Sequence, residues 1–395
     1  MEDRFRGRFL GAAQAFDVIV RNGVIASIEP CDQNAADIGT ESSIFAPTLF
    51  DIQVNGAFGV DLQGMSVTPE DFAKITESLS SWGVSRWIPT FITASVDELE
   101  HCCRAAATAL HNPHLANAIP GVHIEGPYIS PDDGPRGAHP RDCVRNPNID
   151  EFKRLLDAAE GKISYMTLAP ESPGATVFIS ALREHGVIAA LGHHNANAQQ
   201  IADAVDAGAT LSTHLGNGLA STINRHLNPL WPQLSEDRLT ASLIADLQHL
   251  PKHVLKAFVR AKRPEKVILT SDCLHIAGLS PGKYKMRNAD VEMLPSGRIC
   301  LSGTDLLAGS SLMLLQGVAN AAAYTDMTIE QAFSSASNIP AELFGLSKAS
   351  YPPKLGDKAD FILSDFEKGN SGDICAKPLV TFIRGEKKKP QPTTL

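Results

Sequence analysis

The chain has 395 residues, 43% of them hydrophobic and 20% charged, with a net charge of −9. That length exceeds one ordinary domain and suits a large barrel with an accessory unit, while the acidic balance excludes a surface that broadly attracts nucleic acid or anionic membrane. Seven scattered cysteines without a C-x-x-C exclude a disulfide framework or a zinc ribbon and fit reduced thiols in a cytoplasmic protein.

The N-terminal MEDRFRGRFL has no apolar signal-peptide core, and no apolar run reaches the about 18 residues of a membrane span. FDVIVRNGVIASIEP alternates apolar and polar residues around Asn22-Gly23, a hairpin signal because both turn positions need positive φ. At the other end, ADFILSDF and LVTFIRG also read as strands, and the EKKK run after them reads as a solvated tail. Strands at both ends predict a small β-sandwich built from residues 1–47 and 350–395. Between them, eight strand candidates alternate with helices. The strands are IFAPTLFDIQVNG, SRWIPTFIT, AIPGVHIEG, KISYMTLAP, VIAALGHHN, ATLSTHLGN, TASLIADLQH and KVILTSD. Helices are expected at Pro69–Trp82, Val96–Leu110, Ile149–Ala159, Ala175–Glu184, Asn197–Ala207 and Pro251–Ala261. Thr68-Pro69-Glu70, and Ser95 with Glu98, make good helix starts. Eight such units predict an α/β fold, a (β/α)8 TIM-type barrel over residues 48–349.

Barrels of this kind carry their chemistry at the C-terminal ends of the strands. Those ends hold Gln53 and Asn55 on the first strand and Glu125 on the third. His193-His194 closes the fifth, His214 then Asn217 the sixth, Asp246 and His249 the seventh, and Asp272 the eighth. Glu125, His193 and His214 form a three-ligand set for one divalent ion, with Zn2+ favoured and Fe2+, Co2+ or Mn2+ as alternatives. Three protein ligands leave a position open for water, and Asp272 is placed to take that water's proton. His123, two residues before Glu125, reads as packed or supporting, and His194 should point away from its neighbour.

These motifs resemble the amidohydrolase superfamily and, within it, the N-acetylglucosamine-6-phosphate deacetylases. FDIQVNGAFGVDL, GVHIEGPYIS followed by GAH, LGHHNA, STHLGNG, ASLIADLQH, LTSDCLHIAG, LAGSSLMLLQGV, SASNIPAELFGL and LGDKADFILSD follow the family's order over nearly the whole chain. The resemblance implies a metal-dependent hydrolase that removes acetate from N-acetylglucosamine 6-phosphate. It matches Glu125, His193 and His214 to the metal ligands, Asp272 to the acid/base and His139 to a group that contacts the substrate carbonyl. Asn217, Gly218, Arg225 and His249 match positions that hold the sugar and its phosphate, and a homodimer is implied. Many relatives carry H-x-H where this chain has Gln53-x-Asn55, and dinuclear ones carry a lysine at the end of strand four, whereas Lys162 lies at its start. Both departures favour one metal ion, with Gln53 and Asn55 as supports or remnants of a second metal position. After His214 the usual Asn-Ala-Met is replaced by Asn217-Gly218-Leu219, so the amide chemistry is better specified than the substrate. The alternatives are another N-acyl substrate (N-acetylgalactosamine 6-phosphate, an unphosphorylated N-acetyl sugar or an N-acyl amino acid) and a non-catalytic binding barrel.

Overall fold

The computed structural model describes residues 2–31, 36–286, 289–304, 307–369 and 373–388. Strands β1 (Glu2–Phe9), β2 (Ala15–Arg21), β3 (Val24–Pro30) and β4 (Ile38–Ala46) come first. β5 (Leu49–Val54) opens the barrel and is followed by the short pair β6 (Gly56–Ala57) and β7 (Val60–Asp61). The barrel continues through β8 (Val84–Ile92), β9 (Val122–Glu125), β10 (Ile163–Leu168), β11 (Ile188–Leu191), β12 (Ala209–Ser212), β13 (Thr240–Ile244) and β14 (Val267–Thr270). A three-stranded antiparallel flap follows, β15 (Gly282–Met286), β16 (Ala289–Met293) and β17 (Ile299–Leu301). The chain then returns through helices to β18 (Phe361–Lys368), β19 (Ile374–Ile383) and β20 (Glu386–Lys388).

Both chain ends share one seven-stranded sheet, ordered β20-β19-β18-β4-β1-β2-β3. It curls around its own apolar core, in which Phe5 packs edge-on to Phe361 and Phe382. Asn22 (φ 51°) and Gly23 (φ 76°) make the tight turn between β2 and β3, as their sequence predicts. The EKKK run differs from its reading as a tail. Glu386–Lys388 pairs with β19, and Lys387 and Lys388 reach Asp3 and Glu77, because an edge strand tolerates lysines that face water; Lys389 lies outside the described residues.

The eight barrel strands are parallel and ordered as in the chain. Asp272 N–H donates to Gln53 O (3.0 Å) and Asn55 N–H to Cys273 O (2.9 Å), tying the last strand tip to the first. Phe50, Ile52, Ile88, Tyr165, Ala190, Leu211 and Ile268 fill the interior, as short alternating strands dictate. The larger apolar core lies between the strands and the outer helices. Helices begin where their caps place them. Ser95 accepts from Glu98 N–H, Glu98 accepts from Ser95 N–H, and Pro69 takes the first position after Thr68. Gln316, on the helix Leu314–Tyr324, donates to Ile374 O and accepts from Ala376 N–H (both 2.9 Å), docking the small sheet on the barrel.

Candidate active site

β9 ends on Glu125, and three of the site's other polar residues each lie two positions past the last residue of a strand: His193 after β11, His214 after β12 and Asp272 after β14. All three have positive φ (54°, 30° and 51°). That conformation costs a non-glycine residue about 1–2 kcal/mol and concentrates at functional sites. Here it turns the chain sharply at each strand tip while the side chains stay over the barrel mouth.

The Glu125, His193 and His214 side chains meet. His214 Nε2 lies 2.8 Å and His193 Nε2 3.2 Å from Glu125 Oε1, and the two Nε2 atoms are 3.2 Å apart. Ligand atoms on a tetrahedral zinc, about 2.0–2.2 Å from the ion, sit about 3.3–3.5 Å from each other, so the triangle has nearly the right size. His193 Nδ1–H donates to Pro135 O (2.8 Å), which leaves Nε2 a lone pair. Three possible ligand atoms thus converge on one point, each at least 93% buried by residue, and this cluster is able to hold a metal ion. Burial alone would raise the Glu125 carboxyl, but the two imidazoles outweigh it and hold it well below the carboxylate range. On His214, burial opposes the charge and the Glu125 carboxylate more than offsets it, so its pKa is raised.

Asp272 stands beside this cluster. Burial, first, and the Glu125 charge push its carboxyl up to about 6, with His214 pulling the other way. Asn55 Nδ2 donates to Asp272 Oδ1 at 2.7 Å, and Gln53 Nε2 donates to Glu125 Oε1 at 3.1 Å. Gln53 and Asn55 therefore turn amide donors onto the carboxylates. A register irregularity between Asp51 and Val54 aims them at the mouth, although Phe50 and Ile52 also face inward. His139 is buried over the cluster, its ring 4.3 Å from that of His193 and its Nε2 3.9 Å from Glu125 Oε2. Burial, reinforced by His193, keeps it neutral. His123 lies beneath, between Thr90 and Thr167 and stacked 3.7 Å from the Tyr165 ring; burial lowers its pKa to about 3. His194 turns away, and its Nδ1 accepts from Ala196 N–H.

A cleft of about 630 Å3 opens above these groups, within the usual range for a small-molecule site. Asn217, Gly218 and His249 line it. His249 is fixed by Asp246, whose Oδ1 accepts the main-chain N–H and whose Oδ2 accepts Nδ1–H (2.8 and 2.7 Å). Gly218 (φ +61°) lies so close that a Cβ there would stand 2.8 Å from His193 Nδ1. Arg225 is not brought to this cleft. It sits on an exposed loop with Leu227 (84% exposed), just before the short helix Leu230–Ser235 that carries Trp231 (52%). The sequence reading missed the flap, whose Met286 and Leu301 form an apolar wall of the cleft. It also missed Thr93, which bonds His139 Nδ1, and Gln63, which bonds the main chain of Asn55, Thr90 and Ile92. The strand-tip rule pointed to the residues just past each strand and could have flagged Thr93. A second cavity of about 550 Å3, lined by Thr48, Arg86, Asp360 and Arg384, holds none of the residues expected at the site.

The sequence model described as "Amidohydrolase family" matches residues 44–391. The N-acetylglucosamine-6-phosphate deacetylase of Bos taurus is 31% identical over 90% of this chain and 89% of its own. The N-acetylgalactosamine-6-phosphate deacetylase of Escherichia coli O157:H7 is 29% identical over 88% and 89%. Among solved structures, the N-acetyl-D-glucosamine-6-phosphate deacetylase of Mycobacterium smegmatis, a mutant in complex with N-acetyl-D-glucosamine-6-phosphate, superposes with a TM-score of 0.82 at 25% identity, covering 98% of this chain and 99% of that one.

Proposed function

The chain belongs to the amidohydrolase family, in its N-acetylglucosamine-6-phosphate deacetylase branch, and we propose that it hydrolyses the acetamide of N-acetylglucosamine 6-phosphate to acetate and glucosamine 6-phosphate. The observation that carries this reading is the meeting of Glu125 Oε1, His193 Nε2 and His214 Nε2 beside Asp272 in one cleft.

Glu125, His193 and His214 hold the metal. When bound there, a divalent ion, Zn2+ by the preference of this donor set, supplies an acidified water and a Lewis-acid contact to the amide carbonyl. Asp272 accepts a proton from the attacking water and returns it to the nitrogen as the C–N bond breaks. A buried carboxyl raised above the ordinary aspartate range suits both tasks, since it is ionised at neutral pH yet more basic than a solvated one. The Asn55 amide holds Asp272 Oδ1, leaving Oδ2 for the transfer. Neutral His139 donates to the carbonyl oxygen as charge builds there. Asn217, Gly218 and His249 receive the sugar and its phosphate. Arg225 completes the phosphate contacts in a cytoplasmic homodimer, whose second copy covers the exposed Leu227 and Trp231. No helix among the described residues is long and apolar enough to cross a membrane.

The test is acetate release by the zinc-loaded protein from N-acetylglucosamine 6-phosphate, N-acetylglucosamine and N-acetylgalactosamine 6-phosphate. A clear preference for the first is expected. A preference for the third selects the second reading, which the 29% identity to the Escherichia coli galactosamine enzyme favours. Cleavage of none overturns both.

A further inference from the structure

The hydroxyl of Thr93, immediately past the end of β8, is fully buried and has one proton to give and two polar neighbours. His139 Nδ1 lies 2.8 Å away and the Glu125 main-chain oxygen 3.2 Å away. We infer that Thr93 is a positioning residue which donates this proton to Nδ1 and thereby fixes His139 with its own N–H on Nε2, the nitrogen beside the metal cluster. The inference rests on the reading of His139 as the donor to the substrate carbonyl.

Three observations carry it. The contact to Nδ1 is the shorter of the two, and a hydroxyl, which can accept as well as donate, has only one proton to give. In the other tautomer Nδ1–H would donate to Thr93 Oγ1 and Thr93 would give its proton to Glu125 O, but the Nε2 lone pair would face Glu125 Oε2 at 3.9 Å. An N–H toward that carboxylate is attractive and a lone pair toward it is repulsive. That tautomer would also have no proton to offer a carbonyl oxygen. Finally, Gly126 (φ +79°) makes the room, because a Cβ there would stand 2.2 Å from Thr93 Oγ1. The residue after the ligand Glu125 is thus bare where the hydroxyl must fit.

The experiment compares the zinc-loaded wild type with Thr93→Val, which keeps the shape and removes the hydroxyl, and Thr93→Ser, which keeps the hydroxyl. Turnover of N-acetylglucosamine 6-phosphate, metal stoichiometry and the ¹⁵N spectrum of labelled histidines are read together. Thr93→Val is expected to lose about 10- to 100-fold in kcat, part of the value of one preorganised donor. KM and zinc content should hold, and Thr93→Ser should recover most of the rate. The wild-type spectrum, assigned with His139→Asn, should show His139 as the Nε2–H tautomer. An Nδ1–H signal there, or wild-type kcat in Thr93→Val, overturns the inference. Unaltered turnover in His139→Asn instead removes the functional reading of His139, and the spectrum, which needs no turnover, still decides the tautomer.

Discussion

The two ends of the cleft are built differently. The amide end is sealed: Glu125, His193, His214, His139 and Asp272 lie over the barrel mouth, each bonded or paired to a neighbour, and three of them hold a costly backbone conformation. The end proposed to read phosphate is open: His249, held by Asp246, lines the cleft, while Arg225 stands outside it on a loop where Leu227 faces water. Bond-making groups need fixed geometry, and one chain supplies all of them. Substrate reading tolerates a looser surface, which in the proposed homodimer a second copy would complete.

Substitutions at the two ends should therefore differ in kind. The largest effect is expected for Asp272→Asn, with turnover down about 10³-fold, zinc content unchanged and KM little altered, measured by acetate release and metal analysis. Asp272 must be ionised to take a proton, so kcat/KM should fall as pH drops through about 6. A cation on the neighbouring ligands favours the carboxylate and moves that limb lower, and an acid limb above pH 7 would exclude Asp272 as its source. Next comes Gly218→Ala. A methyl 2.8 Å from His193 Nδ1, at φ +61°, displaces the ring and strains the bond to Pro135. Metal affinity, read by chelator competition, should weaken about 10- to 100-fold.

Much of this architecture was legible because barrel strands are short apolar runs and their polar ends stand out. Glu125, His193, His214 and Asp272 could be read as the last polar groups of such runs. Their shared offset of two residues past the strand in three cases, and the positive φ that goes with it, could not, since histidine and aspartate carry no sign of αL backbone as glycine does. The flap was missed because its strands form a separate small sheet over a core of Ile276, Val291, Met293 and Ile299, whose spacing mimics an irregular loop. Arg225 kept its distance in sequence from His214, but sequence distance says nothing about which cleft a loop residue reaches.

At the open end, Arg225→Ala should raise KM for the phosphorylated sugar about tenfold with kcat unchanged, the size of one lost hydrogen bond to a charged group. The unphosphorylated sugar should be unaffected. Equal losses for both sugars would mean that the loop shapes the cleft and does not read phosphate.

Asp246→Asn should give the smallest change and the sharpest contrast with Asp272→Asn, since both convert a carboxylate to its amide. Asp246 touches no reacting group. It accepts His249 Nδ1–H at 2.7 Å and holds the ring so that Nε2 faces the cleft. An asparagine oxygen can still accept that hydrogen bond, but a neutral acceptor holds the ring less strongly than a carboxylate does. Inhibition by inorganic phosphate should weaken about threefold, within the range of one ordinary hydrogen bond, and kcat should stay within a factor of about two. A fall in kcat as deep as that of Asp272→Asn would place Asp246 in the proton chemistry, and the division between a sealed chemical end and an open reading end would not hold.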